Sequence, residues 1–302
     1  MPIQGYGFGT LRARARKLPL WIRSPLKRLV RITSRITGNF DAGYGKWIRN
    51  FDTLSESDRD KIRWQIKGFK YKPLISVIMP VYETPEWALR EAIDSIRNQL
   101  YQHWELCVAD DASKAPYIAD VLSQAATEDP RIKFITRDQN GHISAASNSA
   151  LSLATGEFVA LMDHDDVLPQ HALYEVVVAL NKDPGIDIIY SDEDQIDRQG
   201  RRHQPFFKTD WNIDLFLSQN MISHLGVFRR TLVETAGGFR EGFEGSQDYD
   251  LALRCADATV PARIHHIPSV LYHWRRDYGA ASFSERHFAQ CTKAALRAVG
   301  DH

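Results

Sequence analysis

The 302-residue chain has no apolar run approaching the roughly 20 residues that a membrane-spanning helix needs. Its first residues also lack the apolar core and small-residue cleavage site of a secretory signal. Cysteine is scarce: Cys107, Cys255 and Cys291 stand far apart and are odd in number, which excludes a disulfide framework and a thiolate metal motif. Free, buried thiols in a reducing cytoplasm are the expectation. Low-complexity segments and internal repeats are absent. So are two phosphate-binding signatures: no G-x-G-x-x-G follows the first apolar strand, and no G-x-x-x-x-G-K-[ST] occurs anywhere. A phosphate-bearing ligand would need another source of counter-charge.

Net charge is missing too, with 38 Lys and Arg against 38 Asp and Glu, but the balance hides an asymmetry. Residues 1–50 hold 11 basic residues and a single acid, Asp41, whereas the rest of the chain has 27 basic and 37 acidic residues. Within this basic part, "LRARARKLPLWIRSPLKRLVRITSRI" mixes Arg and Lys with Leu, Trp, Ile and Val, as a helix lying on an anionic membrane does. Pro19 and Pro25 interrupt it, so one long helix is not expected. Two readings stay open for residues 1–72: a peripheral contact with the inner face of the cell membrane, or a solvated, partner-docking extension.

From Leu74 the pattern changes to alternating strand and helix. "LISVIMPVY" is a nearly continuous apolar run, the mark of a strand buried on both faces of a parallel sheet. Thr84 and Pro85 are placed to start a helix, whose buried stripe is Leu89, Ile93, Ile96 and Leu100. "WELCVAD", "IKFIT" and "EFVALM" read as further strands, separated by helices near 117–127 and over "ISAASNSALSLAT". "IDIIY" and "SVLYHWR" read as later strands, "DRQGRR" as a polar turn heading a hairpin, and "WNIDLFLSQN", "RRTLVETA" and "YDLALRCA" as helices. The result is an α/β domain over residues 73–302 with a largely parallel sheet flanked by helices. Ligands of such sheets bind outside the carboxyl ends of the strands.

Two strands end there in acids: Asp110 and Asp111, and the run Asp163, His164, Asp165, Asp166. The first pair is compatible with a simple cap or turn. In the second, a turn brings the alternate side chains Asp163 and Asp165 toward one point, where a hard divalent cation relieves their repulsion. Mg²⁺ or Mn²⁺ held by one or two carboxylates keeps positions open for substrate phosphates. The competing reading is a set of solvated loop acids, with Asp166 capping the helix after Pro169.

"ISVIMPVYE", "SIRNQ", "WELCVADDAS", "GHISAASNSALSLATGEFVALMDHDD", "GGFREGFEGSQDYDLALR" and "LYHWR" follow one another between Leu74 and Arg275. Together they resemble the family 2 glycosyltransferases of the GT-A fold, inverting enzymes that use nucleotide-sugar donors. "YSDEDQ" and "GSQDYDL" are similar to the subgroup that builds bacterial O-antigen and other surface polysaccharides. The resemblance implies a metal-dependent hexosyl- or deoxyhexosyltransferase with Mn²⁺ or Mg²⁺ as cofactor. It would move a sugar from a UDP-, dTDP- or GDP-linked donor to a hydroxyl of a lipid-linked or oligosaccharide acceptor, with no nucleic-acid partner.

Residue by residue, the resemblance places Pro80 and Tyr82 beside the nucleotide base, Asp111 as acceptor of the base N–H, and Arg137 near that base. Asp163 and Asp165 match the DxD motif, Asp163 toward ribose or metal and Asp165 on the metal. Asp248 falls where the family keeps its catalytic base, and His273 where many members supply a third metal ligand. Asp192 and Glu193 are candidates for acceptor contacts or the start of a polar loop. His164, the variable residue of the motif, reads as a bystander. Many relatives have Glu where this chain has Gln247, which leaves Asp248 without an adjacent acid to raise its pKa. Two alternatives stay open, a sugar nucleotidyltransferase and a non-catalytic, membrane-recruited scaffold.

Overall fold

The computed structural model describes residues 39–276 and 286–302, so residues 1–38 of the 1–72 extension, with its basic stretch at 11–36, lie outside the described residues. The chain divides after Thr53 into two units. In the first, helix α1 (Asn39–Phe51) stacks Tyr44 on Trp47, ring centroids 5.5 Å apart. Helix α2 (Glu56–Gly68) and the segment after it pack on the α/β unit, where Arg59 donates to Gln170 and the Tyr71 amide to Asn181. Ser55 and Asp58 close a reciprocal capping box at the start of α2, which fixes where this helix begins.

The second unit is built on a mixed eight-stranded sheet of order β3-β2-β1-β4-β7-β5-β6, with β8 along the other edge of β5. Strands β1 (Ile75–Val81), β2 (Trp104–Asp110), β3 (Ile132–Thr136) and β4 (Phe158–Leu161) are mutually parallel. They are joined through helices α3 (Glu86–Arg97), α4 (Pro116–Glu128) and α5 (His142–Leu151). After α6 (Ala172–Lys182) comes β5 (Ile188–Ile196), which forms the expected hairpin with β6 (Arg202–Phe206). Short helix α7 (Ile213–Ser218) precedes β7 (Gly226–Arg229), which runs antiparallel to both β4 and β5. Helices α8 (Arg230–Thr235) and α9 (Gln247–Asp257), strand β8 (Ile264–Arg275) and helix α10 (Phe288–Asp301) complete the unit. Strand β7 has no counterpart among the expected elements, because four residues are too few to display a period. No helix among the described residues is long and apolar enough to cross a membrane.

Alternation along β1 feeds two cores. Ile75, Val77, Met79 and Val81 pack on one face with Leu89, Ile93 and Ile96 of α3, while Ile78 faces the other with Cys107, Val159 and Phe228. Each fully buried side chain of this size contributes roughly 1.5–3 kcal/mol, so the strand is anchored from both sides. The ladder between β1 and β4 stops at Ile78 and Leu161. Ile78 points its carbonyl at β4 and Val81 at the β2 side, so Pro80 faces β4 just beyond the last pairing, where its missing N–H costs nothing. The two strand ends diverge there, at the point where the connections change direction (β1 to β2 on one side, β4 on the other), and a crevice opens.

A buried acid locks the entry to β4. Glu105 accepts from Ser76 at 2.6 Å, Lys133 at 2.6 Å, and the Thr155 and Gly156 amides. Burial opposes its ionisation, but these hydrogen bonds outweigh it and hold the carboxyl at about 2. The Gly156 backbone lies so close that an added Cβ would stand 2.6 Å from both the Leu74 carbonyl and Ser76 Oγ. Gly156→Ala is expected to destabilise the protein by about 1–3 kcal/mol, read as a lower thermal midpoint. An unchanged midpoint would show that the backbone can yield there.

Candidate functional site

The crevice at the carboxyl ends of β1, β2 and β4 widens into a cavity of about 1010 Å³. Pro80, Tyr82, Asp111, Asp163, Asp165 and Asp248 all line it. These residues are distant in sequence and come together because parallel strands deliver their ends to one side of the sheet. Tyr82 is 44% exposed, so it is a presented ring and not part of the core.

Asp111 is almost fully buried yet reaches the cavity. Its Oδ1 accepts from the Gly141 amide at 2.9 Å and meets Arg137 Nε at 2.8 Å. Arg137 is spent on this clamp and on the Ala145 carbonyl and Ser149 hydroxyl, and it does not line the cavity. The expectation that Arg137 faces a base is therefore corrected: it is turned onto Asp111, which lines the cavity.

The acidic loop after β4 is held from β8. The Tyr272 hydroxyl donates to Asp166 Oδ2 at 2.7 Å and accepts from the Asp163 amide at 3.0 Å. Asp166 Oδ1 accepts from the Arg275 amide, and Arg275 Nε donates to the Asp165 carbonyl. Asp166 is thus bound to β8 and does not cap α6, which starts behind His171. Asp163 and Asp165 are left to face the cavity. Burial and the neighbouring Asp163 charge push the Asp165 carboxyl up. Burial and the charges of Asp165 and Asp163 push Asp166 well up. His164 is not idle: its Nδ1 lies 2.6 Å from Thr84 Oγ1, which takes that hydroxyl away from capping α3.

His224, which no sequence signal marked, lies beside this loop. Its ring stacks on Tyr272 at 4.3 Å, and its Nε2 stands 3.6 Å from Asp163 Oδ2. Burial pulls His224 toward neutrality, but Asp163, with Asp166 and Asp248 beyond, outweighs it and raises the ring to about 9. Asp163 shows the other side of the pairing: burial opposes its charge, and His224 and His164 hold its carboxyl down.

Asp248 sits in the first turn of α9 and lines the same cavity. Burial, helped by the Asp163 charge, raises its carboxyl above the ordinary range, opposed by His224. The absence of an acid at Gln247 therefore does not leave Asp248 ordinary, because the cavity wall does what a neighbouring charge would do. Gln247 instead turns back to accept from the Gly245 amide.

His273 is not brought to the cavity. Along β8, Trp274 lines the cavity and Tyr272 bonds to the acidic loop, so His273 between them faces away and its Nδ1 meets Asp194 at 2.5 Å. Asp192 and Glu193 also leave the site. They belong to β5, not to a loop, and are consumed by His266 and Lys208 respectively. The acceptor contacts expected of Asp192 and Glu193 and the metal contact expected of His273 are corrected accordingly. Among the described residues no three His, Cys, Asp or Glu side chains converge on a ready-made metal site. The donors present, two carboxylates with excess negative charge at a cavity edge, nevertheless suit a hard cation that shares its other positions with a phosphate ligand.

Comparison with known proteins gives this arrangement its class. Residues 76–237 match the model of the family described as glycosyl transferase family 2, and the chain belongs to that family. It is 40% identical over 231 residues to the O-antigen biosynthesis protein RfbC of Myxococcus xanthus, an alignment covering 76% of this chain and 18% of RfbC. It is 44% identical over 259 residues to protein y4gI of Sinorhizobium fredii, covering 86% of this chain and 28% of y4gI. The chain thus spans less than a third of the length of either relative. Among solved structures, Staphylococcus aureus TarS 1-349 in complex with UDP-GlcNAc superposes with a TM-score of 0.57 at 20% identity, covering 74% of this chain and 65% of TarS 1-349. The mannosyltransferase PcManGT of Pyrobaculum calidifontis, in complex with GDP-Man and Mn²⁺, gives 0.55 at 21%, covering 79% and 72%. Both share the GT-A fold.

The His224–Asp163 pair has a consequence for pH. A histidine raised above its unfolded value contributes stability that is complete below about 6.5 and lost as pH climbs through about 9. Stability measured by urea unfolding without divalent cations is expected to fall across that window, and His224→Gln to flatten the fall. An equal fall in the variant would place the titrating group elsewhere.

Proposed function

We propose that this chain is a metal-dependent, inverting glycosyltransferase domain that moves a sugar from a nucleoside-diphosphate donor to a hydroxyl of a bacterial surface polysaccharide. One observation carries the reading: a presented aromatic ring (Tyr82), a clamped acid (Asp111), a carboxylate pair and a half-buried acid of raised pKa line one cavity at the strand ends. The likeness to an O-antigen biosynthesis protein supports the polysaccharide product. UDP-GlcNAc and GDP-Man with Mn²⁺ in the two superposable structures support a nucleotide-sugar donor and a divalent cation.

In this reading the Tyr82 ring stacks on the base, and Asp111, held by Arg137 and Gly141, accepts its N–H. Asp163 and Asp165 hold Mn²⁺ or Mg²⁺, which when bound neutralises charge growing on the departing diphosphate. Asp165 is the firmer ligand, because Asp163 already has His224 as a partner. The acceptor hydroxyl is a poor nucleophile with a pKa far above 7, so its proton must leave as the bond forms. Asp248 takes it. A carboxyl whose pKa is raised by burial is a better base near neutrality than an exposed one. Attack from the side opposite the diphosphate inverts the anomeric carbon in one displacement.

General-base assistance is typically worth about 10²–10⁴-fold, so Asp248→Asn is expected to lose transfer by about that factor while still binding nucleoside diphosphate. Turnover of a UDP-, dTDP- and GDP-sugar panel with Mn²⁺, followed as nucleoside diphosphate release, measures this. Near wild-type turnover in the variant would remove Asp248 from the role. Asp165→Ala is expected to abolish the Mn²⁺-dependent part of nucleoside diphosphate binding in calorimetry. Binding of equal strength with and without Mn²⁺ in the wild type would refute the carboxylate pair as a metal site.

A further inference from the structure

Resting on the reading of Asp248 as the base, we propose that Asn220 is the positioning residue that orients it, on a segment pinned from beneath by the buried ammonium of Lys208. Asn220 lies between α7 and β7 and lines the cavity. Its Oδ1 accepts from the Ser223 amide at 3.1 Å and its Nδ2 donates to Asp248 Oδ2 at 2.7 Å. The amide orientation is forced by chemistry. A backbone N–H can only donate, so the oxygen must face Ser223, and the NH₂ is left for the carboxylate.

The segment that carries Asn220 is not free to drift. Four residues on, His224 faces Asp163, so one short stretch touches the base and the carboxylate pair together. Beneath it, the side chain of Lys208 is 0% exposed. Its Nζ donates to the Ile222 carbonyl at 2.9 Å, to the His224 carbonyl and to Glu193 Oε2 at 2.9 Å, which uses all three ammonium donors. Glu193 in turn accepts from the His224 amide at 3.3 Å. A buried ion pair fully spent on one loop costs much desolvation, and fixing that loop's backbone is what the arrangement achieves. Positional precision matters at this spot, because a displacement of about 1 Å between base and donor is worth about 10²-fold in rate.

The test uses the donor of the sugar-nucleotide panel that the wild type turns over. Asn220→Ala is expected to lower kcat by about 10- to 100-fold with the donor KM and Mn²⁺-dependent nucleoside diphosphate affinity unchanged within about twofold. Combined with Asp248→Asn it should add nothing, since residues acting as one unit are not additive. Asn220→Asp places a like charge against the base and should be at least as slow. Lys208→Met is expected to show the same loss in kcat, beyond any drop in thermal midpoint, and Lys208→Arg a partial recovery. Wild-type kcat in a folded Asn220→Ala, or a loss in donor affinity equal to the loss in kcat, overturns the proposal. Should Asn220→Ala fail to fold, Asn220→Ser supplies the same comparison. An active Asp248→Asn, or a wild type inert toward every donor, overturns instead the reading on which it rests.

Discussion

The site is organised by the cost of crowding carboxylates into a low-dielectric space. Asp163, Asp165, Asp166 and Asp248 share one region, and burial alone would drive each toward its neutral form. The fold answers each acid differently. Asp166 is tied into β8 by the Tyr272 hydroxyl and the Arg275 amide, and its carboxyl is pushed well up. Asp163 keeps its charge through His224. Asp165 and Asp248 are pushed up by burial and the Asp163 charge, which outweigh His164 and Arg275 at the first and His224 at the second. Asp165, at the strand end, is the acid that the proposal assigns to metal, and Asp248, across the cavity, is the one that it assigns to proton transfer. In that reading one constraint separates two functions among chemically identical side chains.

Positioning in this protein is done from beneath. Arg137 does not face the cavity but clamps Asp111, Lys208 does not face it but holds the backbone at 222–224, and Glu105 stitches the turn that launches β4. In the first two cases a charged side chain bonds backbone or a partner charge next to a cavity-lining group, whereas Glu105 works at the amino-terminal end of β4. Such pairs add little net stability, so their placement under the site is better understood as rigidity where geometry sets the rate.

Much of this was legible in the sequence. The four parallel strands declared themselves because strands buried on both faces read as apolar runs, Asp163 and Asp165 stood out at a strand end, and Asp111 and Asp248 came from the family resemblance. What was hidden depended on parity and distance. His273 and Trp274 are adjacent, and only the register of β8 decides which of them faces the site. Asp192 and Glu193 could be read as loop acids because "IDIIY" seemed to end at Tyr190, whereas β5 continues to Ile196, burying Asp192 and half-burying Glu193. His224 gave no signal, since its partner Asp163 is far away in the chain and meets it only once β7 is inserted between β4 and β5. Thr84 resembled a helix cap because a capping hydroxyl and one reserved for His164 look the same in sequence.

The account stands on a divalent cation held at the end of β4 by Asp165 and Asp163, facing a nucleoside diphosphate. Crystals soaked in UDP or GDP with MnCl₂ and measured at the manganese absorption edge test this directly. The prediction is an anomalous peak within about 2–2.5 Å of Asp165 carboxylate oxygen, with the diphosphate on its far side and the base against Tyr82. A bound nucleotide with no manganese at that position, or with its phosphates remote from Asp165, would contradict it.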